Sequence, residues 1–104
     1  MIWKYDIDNL WFNNTFEFIE GMALDLNNNI YIIGSRNSNN SGTRRMAMAK
    51  YNLDGDLLST YTHSTAGLWG QSIKILNDEL ITASRGYPSN LVSLIKFDFD
   101  LEIR

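Results

Sequence analysis

The chain repeats itself, and that narrows its possible folds more than any other feature. Lys4-Tyr5-Asp6-Ile7-Asp8, Lys50-Tyr51-Asn52-Leu53-Asp54 and Lys96-Phe97-Asp98-Phe99-Asp100 are one short phrase written three times, each copy 46 residues after the last. A second pair interleaves with it. Residues 21–36 align without gaps on 70–85 at an offset of 49, with Gly21/Gly70, Asn28/Asn77, Ile32/Ile81, Ser35/Ser84 and Arg36/Arg85 identical. A period of this size implies stacked units, each too small to bury its apolar face alone.

Each unit reads as four strands. Residues 22–26 (A) are short and partly alternating, and Asn27-Asn28-Asn29 follows as a turn in which Asn tolerates positive φ. Ile30-Tyr31-Ile32-Ile33, within a strand at 30–35 (B), is a run of β-branched and aromatic residues that reads as buried on both faces. Residues 45–52 (C) alternate, Asp54-Gly55 predicts a type I′ hairpin turn with φ > 0 at both positions, and 57–62 form strand D. The second unit repeats the order with A at 71–76, B at 79–84, C at 91–97 and the start of D at 101–104. Upstream, 2–7 and 10–18 read as the C–D hairpin of a preceding unit. The expected organisation is therefore 1–18 as that hairpin, 21–62 as a complete unit and 70–104 as a second unit whose last strand is incomplete. No stretch of helical period with caps competes. Four antiparallel strands per unit of about 46 residues is the pattern of a β-propeller blade.

The phrase Gly21-Met22-Ala23-Leu24-Asp25-Leu26-Asn27-Asn28-Asn29-Ile30-Tyr31-Ile32-Ile33-Gly34, followed by Ala49-Lys50-Tyr51-Asn52-Leu53-Asp54-Gly55-Asp56-Leu57, resembles the bacterial seven-bladed β-propeller repeats of large surface and secreted proteins. The second copy departs from it, with Lys74 in place of Asp25 and Ala83 in place of Gly34. The resemblance implies an all-β fold of about two four-stranded antiparallel blades, a partial propeller, and an extracellular or cell-surface setting. That family is defined by its scaffold, so no chemistry follows from it.

Composition narrows the function classes. With 104 residues and a 46-residue period, the chain holds little more than two blades, whereas propellers close with roughly four to eight. Further blades or copies of the chain are expected as partners. Cysteine is absent, which removes disulfides, thiolate metal sites and cysteine nucleophiles. A net charge of −3 disfavours bulk attraction to nucleic acid or anionic membranes. The longest apolar runs fall far short of the roughly 20 residues a membrane helix needs, and the first residues lack a charged-then-apolar secretory pattern.

Alternating strand direction sends the A–B and C–D turns to one end and the B–C and D–A connections to the other. Gly21 to Ser35 and Gly70 to Ser84 both span 14 positions, which predicts a constant A–B end, while length differences fall at the other end. Arg36, Arg44, Arg45 and Arg85 belong to that variable end, and most Asp residues to the opposite turns. Guanidinium forks suit carboxylate, sulfate or phosphate, so an anionic ligand is one reading. Structural use is the other, with Asp shaping turns and Arg bonding loop carbonyls. Trp69 and Tyr87 are placed to stack on a sugar or peptide, or else to wedge between blades. His63 lacks a Ser-His-Asp or metal-ligand context, and 52–56 lacks the order and distal Glu of a calcium loop. No catalytic residue, metal site or cofactor is expected. The leading functional reading is a non-catalytic scaffold or binding module with its ligand face on the B–C and D–A loops. The alternatives are a fragment of a propeller enzyme, lyase or quinoprotein-like oxidoreductase, and an independent sandwich-like domain.

Overall fold

The structure, a computed structural model, describes residues 16–37, 44–64, 67–86 and 92–104. Among them it is all-β and has no helix. The strands are β1 (Phe16–Leu24), β2 (Ile30–Asn37), β3 (Arg44–Tyr51), β4 (Leu57–Thr62), β5 (Leu68–Leu76), β6 (Glu79–Gly86) and β7 (Val92–Phe97). β1 to β4 form one antiparallel meander, sheet I, and β5 to β7 a second, sheet II. A single parallel bridge, Arg45 opposite Leu68, joins them, and the path of strands does not close. This architecture is compatible with part of a propeller.

The two sheets are held together by one apolar layer. Tyr31, Ile33, Met46 and Met48 from sheet I meet Ile73, Leu80, Phe97 and Leu101 from sheet II, with Ala23, Tyr61, Ile75, Ile95 and Phe99 around them. Side chains alternate across a strand and directly opposed residues share a face. The opposite face of sheet I therefore carries a separate cluster, Ile32, Ala47, Ala49 and Tyr51, flanked by Ile30 and Leu57. The central strands of sheet I, β2 and β3, are buried on both faces, which is why they read as continuous apolar runs. β5 runs against β1 and β2, and small residues allow the approach. A Cβ at Gly70 would sit 2.5 Å from Ile33 Cγ1 and 2.9 Å from the Gly34 carbonyl oxygen.

Three turns at one end share a single geometry. In the loops at 25–29, 52–56 and 98–102, the first residue's amide donates to the fifth residue's carbonyl, and the fourth residue's amide returns to the first residue's carbonyl. The side-chain Oδ1 of Asp25, Asn52 or Asp98 accepts from the third and fifth amides at 2.8–3.0 Å. The fourth residue is left-handed in each: Asn28 at φ 66°, Gly55 at 86° and Leu101 at 65°. This is the Asx-supported loop that Asp and Asn favour. It corrects the type I′ expectation, because Asp54 does not enter the left-handed region and Gly55 alone does.

Pairing also corrects the alignment between units. Ile30 lies opposite Tyr51, and the matching pair in sheet II is Leu80 opposite Phe97. Matched strand for strand, β2 and β6 are therefore offset by 50 residues, not 49. A slip of one residue moves every side chain to the other face. Ser35-Arg36 and Ser84-Arg85 are thus not equivalent pairs, despite their identity. The A–B turn absorbs the difference: five residues separate Leu24 from Ile30, and four separate Ile75 from Leu80, which also form a facing pair. The A–B end is not constant in length.

Two boundaries shift as well. β1 starts at Phe16, opposite Arg36, so 16–18 belong to the first strand of sheet I and not to a preceding hairpin. Irregularities at Phe16/Phe18 and Ile19/Gly21 break the alternation that would have revealed one long strand. The expected strand at 101–104 is reduced to one bridge, Ile103 opposite Phe97, because Leu101 still belongs to the turn. Residues 1–15 lie outside the described residues.

Candidate functional site

The arginine-bearing end is built from strand ends. Arg36 lies opposite Arg45, Arg45 bridges Leu68, Trp69 lies opposite Arg85, and Arg85 opposite Val92. The backbone thus sets these residues in one row across both sheets. The faces divide them. Arg36 and Arg45 share the face of sheet I that carries Ala47 and Ala49, whereas Trp69 and Arg85 share the outward face of sheet II with Val92. The structure gives two pairs at one end rather than one convergent cluster.

Their environments differ too. Arg36 is 4% exposed, and its Nη1 donates to Thr62 Oγ1 at 3.2 Å. Burial pulls its pKa below the ordinary arginine value. A guanidinium so enclosed is part of the wall, not a free anion receptor. Arg45 is half-buried and donates through Nη1 to the Ser64 carbonyl, as expected for an arginine that ties down a loop. Trp69 is half-buried and Arg85 exposed. Arg44 opens β3 opposite Asn37, and Tyr87 falls outside the described residues. His63 is half-buried at the end of β4, its Nδ1 2.9 Å from Tyr61 Oη, and its amide donates to the Met46 carbonyl. Burial raises the Tyr61 pKa.

Sequence reasoning missed a polar network at the opposite end. Tyr31 Oη donates to Asp25 Oδ2 at 2.7 Å, and Lys50 Nζ donates to the Phe99 carbonyl at 2.8 Å while lying 5.6 Å from the Tyr31 ring centroid. Desolvation pushes Asp25 upward, but the Asn29 amide, the Tyr31 hydroxyl, the Asn29 side chain and the Asn27 amide outweigh it and hold the carboxyl below its usual range. Tyr31 is raised well above the usual phenol value, first by desolvation and then by its bond to Asp25 and the charges of Asp25 and Asp100. The signal available was the recurrence of Lys at 4, 50 and 96 inside an alternating apolar strand. A lysine kept at that register has a partner to find.

Among the described residues no group of three or more His, Asp or Glu is placed to hold a metal ion, and no helix is long and apolar enough to cross a membrane. No family model matches the chain, and no curated protein matches it.

Proposed function

We propose that the chain is a non-catalytic segment of β-propeller type, a scaffold or binding module whose ligand face is the end bearing the β2–β3, β4–β5 and β6–β7 connections. The observation that carries this reading is the division of labour between the two ends. At one end, three five-residue loops repeat the same internally bonded geometry and leave few backbone groups to offer a partner. At the other, the β6–β7 connection is four residues shorter than the β2–β3 connection when the strands are matched by pairing. Connections that vary in length on a fixed scaffold are where binding is ordinarily built. Exposed Arg85 beside Trp69 favours an anionic ligand or an anionic glycan.

The test is a thermal-shift titration of the full chain with sulfate and with a carboxylated or sulfated sugar, repeated on Arg44→Ala/Arg45→Ala and on Arg85→Ala. An anion-dependent rise in Tm that either variant diminishes supports the ligand face. A response unaltered by both ends it. Arg36 is left unchanged because its removal would open a buried wall.

A further inference from the structure

Strands β5 to β7 match β1 to β3 one for one, but a face that sheet I keeps covered is exposed on sheet II. Matching β3 to β7 by their pairing sets Met46, Met48 and Lys50 against Val92, Leu94 and Lys96, and matching β2 to β6 sets Tyr31 and Ile33 against Ile81 and Ala83. In sheet I these positions form the layer that sheet II covers: Met46 and Met48 are 0% exposed and Lys50 9%. In sheet II the same positions face outward, with Val92 69% and Leu94 75% exposed. Lys96 is exposed as well, and its ammonium lies 3.9 Å from Glu79.

We propose that this outward face of sheet II, centred on Ile81, Ala83, Val92, Leu94 and Lys96, is the seat of a third β-sheet of the same chemistry as sheet II. The occupant presents an apolar face, as Ile73, Leu80 and Phe97 do, and an acidic five-residue turn whose carbonyl takes the Lys96 ammonium as Phe99 takes Lys50. Complementary charge and the existing sheet I–sheet II interface both set these terms. A second copy of this chain does not meet them. On the outer face of its sheet I the centre is closed, with Ala47 and Ala49 at 0%, so that face offers its β1 edge, where Ile19, Met22 and Leu24 are exposed, and the apolar face of its sheet II is occupied by sheet I. The position for the incoming sheet is also prepared. The loop at 98–102 returns the chain so that Ile103 opposes Phe97 as Leu57 opposes Tyr51, and the Arg104 amide donates to the Lys96 carbonyl. This inference rests on reading the two sheets as successive repeat units, and its test is separate from anion binding at the arginine end.

The experiment extends the full chain in its own period. Residues 59–104 are added directly after Arg104, which corresponds to Leu58 at the 46-residue spacing, so that a fourth strand on β7 and a third sheet follow in frame. Thermal unfolding is measured for the 104-residue and extended chains, each with and without Leu94→Lys at the original position. The expected result is one cooperative transition in the extended chain, raised by about 10 °C. Leu94→Lys should remove most of that rise while leaving the 104-residue chain unchanged. An extended chain with no rise, or a rise indifferent to Leu94→Lys, overturns the proposal. So does light scattering that finds the 104-residue chain self-associated through a contact that Leu94→Lys abolishes, since the occupant is then a second copy.

Discussion

The Lys50 ammonium donates to the Phe99 carbonyl at 2.8 Å, fastening a strand of one sheet to a turn of the other. The contact spans 49 positions of sequence and lies beside the Tyr31 ring, which itself packs 5.9 Å from the ring of Phe99. A hydrogen bond from a charged donor is worth about 1.5–3 kcal/mol where the alternative leaves a partner dry. Lys50→Met keeps the aliphatic stem and removes the donor. The expected cost is about 2 kcal/mol by urea denaturation, with Lys50→Ala costing more because packing against Tyr31 goes too. An unchanged midpoint for Lys50→Met would show that the bond does not hold the sheets.

Tyr31 and Asp25 make stability depend on pH at both extremes. Asp25 is depressed below its ordinary 3.8, so its contribution is fully present above that value and is lost as pH falls through the folded-state pKa. Tyr31 is raised above its ordinary 10.0, so its contribution is fully present below pH 10 and is lost as pH rises beyond it. Tyr31→Phe removes the hydroxyl from both effects. Denaturation midpoints measured from pH 2 to 11 should fall less steeply for the variant at either end, with about 1–2 kcal/mol lost at neutral pH. Parallel curves for the two proteins would exclude the coupling.

At Gly70, β5 lies close against β2. Its added Cβ would lie 2.9 Å from a backbone oxygen, that of Gly34, as well as against Ile33. A side chain can rotate away but a paired strand cannot. Gly70→Ala should cost about 2 kcal/mol or more, in the range of overpacked cores. Gly21→Ala presses on Ile33 Cγ2 at 3.2 Å, while Ile73 Cγ2 and Ser72 Cα stand at an ordinary 3.6 Å, and should cost clearly less. Measured against an Ile33→Ala background, which removes both Cγ1 and Cδ1, Gly70→Ala should recover only part of the loss. Full restoration would mean that the side chain, not the Gly34 carbonyl, sets the limit.

Strand order, the positions of the turns and the buried run of β2 were legible because each has a local cause: alternation, β-branched runs, Asp, Asn or Gly between them. Asn28 at φ 66° is where the asparagine run predicted it. Register was not legible. The gapless match of Ser35-Arg36 with Ser84-Arg85 hid a one-residue difference in the turn before β6, and one residue decides that Arg36 is enclosed while Arg85 is in solvent. Sequence identity counts residues, whereas a sheet sorts them by parity. The same limit kept the arginine end from being read as two faces. Phe16 to Phe18 were misassigned because bulges interrupt the alternation that a sequence reader follows.

Leu101 sets two of these rules against each other. It holds the fourth position of its loop at φ 65°, where the other loops have Asn28 and Gly55, yet it is 3% exposed and part of the inter-sheet layer. The left-handed conformation costs a leucine about 1–2 kcal/mol, and burying its side chain returns about 1.5–3 kcal/mol, more when the cavity left by truncation cannot collapse. The burial term wins, so Leu101→Gly should destabilise by about 1–2 kcal/mol even though it relieves the backbone. Leu101→Asn keeps left-handed tolerance without the apolar contact and should do no better than Gly. The opposite prediction holds for the second loop, where Gly55→Leu must adopt φ 86°. Urea denaturation of the three variants decides it: a Leu101→Gly chain more stable than the parent would mean that strain, not packing, governs this turn.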